Sequence, residues 1–124
     1  MPPVEVIFFQ EAEGKTPPLV EWLDGLPEKG RLKCLVRLKR LEDLGHELRR
    51  PEADFLRDGI HELRASYQGV HYRMLYFFHE RSIVVLTHGV VKEREVPTKE
   101  IDKAIRAKEA YQRDPSAHTF NPRR

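Results

Sequence analysis

Three segments rich in β-branched and aromatic residues, at 60–65, 70–78 and 83–91, follow one another with only short polar turns between them, at 66–69 and 79–82. Connections that short join antiparallel neighbours, so the centre of the chain is predicted to be a three-stranded meander. Side chains alternate across a strand, which places Val70, Tyr72, Met74, Tyr76 and Phe78 of the middle segment on one face and His71, Arg73, Leu75 and Phe77 on the other. Both sets are largely apolar, and the middle strand is therefore expected to be central in its sheet.

Residues 4–9, a Val/Ile/Phe run without a breaker, add an N-terminal strand that Gly14 closes with a turn. Thr16 ahead of Pro17 and Pro18 reads as the cap of a first helix, whose apolar side would be Leu19, Val20, Trp22 and Leu23 before Gly25 and Pro27 break it. A second helix is predicted from about Pro27 to Leu44, because Leu32, Leu35, Val36, Leu38, Leu41 and Leu44 recur at three- and four-residue spacing, with Gly45 placed to end it. Arg31, Lys33, Arg37, Lys39 and Arg40, interleaved with those leucines, read as a solvated outer face rather than a nucleic-acid stripe. Pro97 and Thr98 open a last helix with Glu100 and Asp102 near its positive end and Ile101, Ala104, Ile105 and Tyr111 on its packing side, and Asp114 with Pro115 stops it. The expected class is α+β, in a single domain over residues 1–112 with a loosely ordered tail at 113–124 that holds His118, Phe120 and two terminal arginines.

A chain of 124 residues is about one domain long and on folding would bury roughly two-thirds of the surface its unfolded chain exposes. With 40% apolar and 34% charged residues it fits a folded domain with a heavily solvated surface rather than a disordered chain. Its apolar stretches fall far short of the roughly 20 residues of a membrane helix, and the N-terminus shows no secretory pattern, so a cytoplasmic location without membrane attachment is the expectation. The single cysteine, Cys34, has neither a disulfide partner nor a second thiol at zinc-site spacing and reads as a core or groove residue rather than a nucleophile. A net charge of +2 decides nothing about anion binding, which depends on where the cations gather.

The cations gather in the meander. Arg64 ends its first strand, Arg73 lies within its second, and Lys92 and Arg94 follow its third, which makes these four a candidate anion site. If Arg64 and Arg73 share a face, their charges repel and a phosphate between them relieves the repulsion. A register shift of one residue would separate them, so the sequence leaves this open beside the reading of ordinary surface or salt-bridged arginines. His61, His71, His79 and His88 offer groups for proton transfer, and His88, just ahead of the basic segment, is the candidate among them. Their spacing matches no zinc motif, so neither metal nor other cofactor is expected.

Taken in order, Trp22-Leu23 with Leu26, Leu41 with Leu44-Gly45, the run Asp58-Gly59-Ile60-His61-Glu62-Leu63-Arg64, then Tyr72-Arg73-Met74-Leu75-Tyr76, and finally Lys92 and Pro97 before a helix resemble the phage-derived, Gp49-like branch of the RelE/HigB-like toxins of toxin–antitoxin systems. The resemblance covers nearly all of the chain up to the tail. It implies a RelE-like fold, with an N-terminal strand, a helical pair, a curved antiparallel sheet and a C-terminal helix. It also implies a metal-independent endoribonuclease that cleaves mRNA in the 30S A site of the ribosome, through attack by the 2′-hydroxyl, and that a helix-turn-helix antitoxin silences. On that resemblance Arg73 stabilises the reacting phosphate, Lys92 is its basic companion, His88 protonates the leaving oxygen, and Arg64 and Arg94 bind RNA, with a structural role for Arg64 through Glu62 as the alternative. Tyr72 and Tyr76 read as core. Val90-Val91-Lys92-Glu93-Arg94 departs from the phenylalanine and paired lysines of many relatives. That departure keeps a non-catalytic antitoxin-binding protein, or a ParE-like gyrase inhibitor, as the competing reading.

Overall fold

Two- and three-residue turns build most of the sheet. In the computed structural model, which describes residues 4–123, the elements run in the order β1 (Glu5–Phe9), α1 (Pro18–Asp24), α2 (Glu28–Leu44), β2 (Ala53–Arg57), β3 (Ile60–Tyr67), β4 (Val70–His79), β5 (Ile83–Val91), α3 (Thr98–Arg113) and β6 (Thr119–Phe120). Residues 1–3 of the expected domain, and Arg124 of the terminal arginine pair, lie outside the described residues. The class is α+β, three α-helices on one six-stranded sheet of order β2-β3-β4-β5-β1-β6, in which every pair is antiparallel except β1 with β5. The expected meander is therefore present, and it is extended at one edge by β2. Pro51 and Asp54 give that segment the composition of a connection, yet Ala53, Asp54, Phe55 and Arg57 pair with β3.

The middle strand is buried on both faces, as its two apolar sets require. Tyr72, Met74 and Tyr76 pack with Leu63, Val84, Leu86 and Phe8 beneath α1 and α2, whose Leu19, Leu23, Cys34, Leu38 and Leu41 complete that cluster. Leu75 and Phe77 pack on the opposite face with Ile7, Ile60 and Val85 beneath Ile101, Ala104 and Tyr111 of α3. Full burial of one such side chain is worth about 1.5–3 kcal/mol, so the two clusters together hold the helices on the sheet.

Helix α2 packs only part of the side its leucines suggest, with Leu38, Leu41 and Leu44 in or against the core. Gly30, Cys34, Leu38 and Leu41 face the sheet, while Leu32, Leu35 and Val36 stay 48%, 44% and 62% exposed. The reason is steric: a Cβ on Gly30 would stand 2.3 Å from the Tyr72 hydroxyl, so only a small residue allows this approach. Gly89 of β5 is the matching case, because a side chain there would collide with the Trp22 ring, which lies over it. Thr16 also differs from expectation. The chain enters α1 through Pro17 without a side-chain cap, and the two prolines at the N-cap and first helical position carry no amide hydrogen to leave unpaired.

The segment after α3 departs from the loose tail that its composition suggested. Phe120 and Thr119 pair with Phe8 and Phe9, the His118 ring stacks on Phe9, and Arg123 grips the buried Glu42 carboxylate at 2.5 and 2.6 Å. A mixed polar-aromatic tail needs no periodic apolar pattern when it adds to an open sheet edge, since the strand supplies the hydrogen bonds.

Candidate functional site

The register of the β3–β4 hairpin decides the site. Gln68 and Gly69 form a two-residue turn at φ 49° and 81°, which sets Tyr67 opposite Val70 and, with no bulge between, Arg64 directly opposite Arg73. The two guanidiniums thus share one face, and a third side chain keeps them apart electrostatically. Glu62, two residues before Arg64 and only 3% exposed, places Oε1 2.5 Å from Arg73 Nη1 and Oε2 3.1 Å from Arg64 Nη2. The anion already bridging the pair is a carboxylate of the chain itself. Asp54 holds Arg64 from the β2 side at 3.3 Å and Arg50 at 2.9 Å, and the Arg50 guanidinium keeps the Asp54 carboxyl below the usual carboxylate range.

Around this pair lies a cleft of about 520 Å³ lined by Arg37, Glu62, Arg64, His71, Arg73 and Arg94 among others. Four guanidiniums against the carboxylates of Glu62 and Glu95 leave its wall net positive. The Nε atoms of Arg37 and Arg64 are buried without a hydrogen-bond partner among the described residues, each at a cost on the order of 1–3 kcal/mol. The chemistry of such a wall suits an anion with several acceptor oxygens, and the planar guanidinium fork matches phosphate.

Of the residues expected at the site, Arg64, Arg73 and Arg94 meet in this cleft. Lys92 is exposed and lines a neighbouring depression with Val91, His71 and Arg94, while its backbone oxygen accepts a long 3.4 Å bond from Arg73 Nε. His88 is not brought to the cleft. It lies buried beneath α3, with Nε2 3.0 Å from Glu100 and Nδ1 3.0 Å from the Thr87 hydroxyl, beside a separate cavity of about 390 Å³. Burial pushes its pKa down, Lys103 adds to the shift and Glu100 opposes it.

Arg37 is a cleft-wall residue that the sequence does not single out, while His71, one of the four histidines offered for proton transfer, is the one brought to the cleft. His71 alternates with Arg73 along β4, so the period-two pattern that placed both on one face already carried the signal. Arg37 was hidden by the leucine spacing, which put it on the outer face of a helix whose inner face begins at Gly30 and Cys34. Cys34 itself is fully buried and its pKa is pushed up to about 12, so the thiol stays protonated at neutral pH. Among the described residues no three His, Cys, Asp or Glu side chains converge as metal ligands, and no helix is long and apolar enough to cross a membrane.

A family model described as phage-derived protein Gp49-like matches residues 21–109, from α1 through most of α3. The chain belongs to the Gp49-like family. That family is associated with the toxins of toxin–antitoxin systems. Every cleft residue named above falls inside the matched span, so the arginine pair is part of the Gp49-like region and not of the flanks. No curated protein matches the chain.

Proposed function

We propose that this Gp49-like protein is the toxin of a toxin–antitoxin pair and a ribosome-dependent mRNA endonuclease of the RelE/HigB kind, working in the cytoplasm on message in the 30S A site and silenced by a helix-turn-helix antitoxin. The observation that carries the reading is the opposed Arg64–Arg73 pair held by Glu62 inside an arginine-walled cleft. In the reaction, the 2′-hydroxyl oxygen forms a bond to the neighbouring phosphorus, the bond from phosphorus to the 5′-oxygen breaks, and one proton leaves the nucleophile while another reaches the leaving oxygen. The phosphorane gathers negative charge that preorganised guanidiniums stabilise, and Arg73, the less exposed of the two and braced by Glu62 and by the Lys92 carbonyl, carries most of this duty. Arg64 and Arg94 hold flanking phosphate oxygens, and Lys92 adds charge at the mouth. Proton transfer falls to His71, the imidazole in the cleft wall.

Two observations favour a second reading. Glu62 occupies the place a bridging phosphate would take, and Glu93 and Glu95 interrupt the basic segment. Both suit a non-catalytic relative that keeps only its antitoxin surface, or a ParE-like inhibitor of gyrase.

Primer extension on purified ribosomes programmed with message separates the two. The wild-type chain is expected to cut at A-site codons, and Arg73→Ala to lose at least about a hundredfold in cleavage, the scale of one transition-state donor. Absence of cleavage by the folded wild type across varied codons would overturn the nuclease reading.

A further inference from the structure

A second pocket lies around the β2 edge from the arginine cleft. It measures about 420 Å³ and is lined by His46, Arg49, Arg50, Asp54, Phe55 and His61, among others. Phe55 stands in the edge strand with 56% of its surface exposed. Its ring meets His61 edge-on at 5.2 Å, His61 stacks on Tyr76 at 5.1 Å, and His46 lies flat on Phe78 at 3.7 Å with a bond from its Nε2 to the Arg81 carbonyl. The rings are thus fixed from behind while Phe55 and His46 remain open to solvent.

We propose that this pocket receives a nucleobase of single-stranded RNA, the one next to the phosphate held in the arginine cleft, with Arg50 on the intervening phosphate and Phe55 and His61 against the base. The proposal rests on the ribonuclease reading and extends its site by one nucleotide. Three features carry it. The pocket joins the cleft through one carboxylate oxygen, Asp54 Oδ2, which holds both Arg50 and Arg64. Arg49 stands beside Arg50 in the pocket lining, so the rim carries two guanidiniums against the one carboxylate of Asp54 and attracts an anion. Aromatic and imidazole faces beside a cationic track are the arrangement that binds unpaired bases without reading their sequence.

An extended peptide added to the β2 edge is the rival occupant. The edge resists it, because β2 is five residues long and its register shifts between Phe55 and Arg57, which breaks the even row of backbone groups a new strand would need.

The test is fluorescence anisotropy with a labelled 2′-O-methyl RNA octamer, which cannot be cut, and with octamers carrying one abasic residue at each position in turn. Phe55→Ala, checked for folding by circular dichroism, is expected to bind the intact octamer about tenfold more weakly, within the range of one base stack. One abasic position should weaken the wild type by a similar factor and leave Phe55→Ala unaffected. Equal affinity of wild type and Phe55→Ala, with Arg73→Ala still impaired, would overturn the pocket and leave the nuclease reading standing. A wild type that binds none of the octamers overturns the pocket whatever the ribosome assay returns. Loss of antitoxin binding in Phe55→Ala with RNA affinity intact would assign the edge to protein and likewise overturn it.

Discussion

Glu62 shows how one buried carboxylate can set the character of a site. Alone, a charge taken that far from water would destabilise the fold by several kcal/mol. Set between two arginines that would otherwise repel across the hairpin, it turns a conflict into a fixed scaffold, with Arg73 and Arg64 each held by one of its oxygens. The histidines lie at the other extreme, since burial pushes the pKa of both His88 and His61 down, with Lys103 adding to the first shift and His46 to the second. For such groups the unfolded chain takes up protons first as pH falls. Their contribution is therefore complete above about pH 6.5 and is lost as the pH drops toward their folded values. The urea midpoint is expected to be lower at pH 5.5 than at 7.5, and His61→Gln to narrow the difference; a midpoint that rises on acidification would contradict both placements. At this scale the sequence was legible where alternation alone decides a side chain's face, as for His71 and Arg73. It was not legible for Glu62 and Arg64, whose meeting with Arg73 needs the exact turn.

Elements meet where small residues let them. Trp22 of α1 is seated on Gly89 of β5 and edge-on to Tyr72 of β4 at 6.2 Å, while Tyr72 in turn fills the space Gly30 leaves beneath α2. One aromatic contact thus couples two helices to two strands. Trp22→Ala is expected to lower unfolding free energy by about 3 kcal/mol, the lower end for a large aromatic because the ring is only partly buried. Near-wild-type chemical denaturation would show that the ring is not a keystone of that junction. Helix α2 explains why periodicity alone misled. Apolar residues surround it on more than one side, and the side that packs is chosen by the thinnest residues, Gly30 and Cys34, rather than by the largest. Strand β2 was missed for the converse reason: a proline-flanked, charged segment pairs because β3 offers a free edge, a cause that lies outside its own residues.

At the scale of the molecule, the helices divide between the two faces of the sheet, and the arginine cleft opens beside β3 and β4 with Arg37 of α2 and Arg94 of the segment ahead of α3 in its wall. The tail closes the far edge. Removal of residues 115–124 takes away β6, the Phe8–Phe120 stack and the Arg123 clamp on Glu42, leaving that buried carboxylate with Lys39 alone. Such a truncation is expected to cost about 2–4 kcal/mol in a urea melt, from lost edge bonds, ring burial and the charge pair. An unchanged midpoint would mean that the tail rides on the surface without holding it. The class and the meander were readable from the sequence because they rest on local turns. The parallel placement of β1 was not, since no local signal says which distant strand it will join. That placement also sets a timetable for the chain's own synthesis. Glu5 pairs with Ile83 and Phe8 with Leu86, so the first strand made must wait for the fifth. At about 5–20 residues per second, Val6 to Phe9 would stay unpaired for seconds behind a ribosome still making β5. For that interval a nascent chain offers chaperones and proteases a sticky apolar strand, and only a chain extended past β5 can hide it.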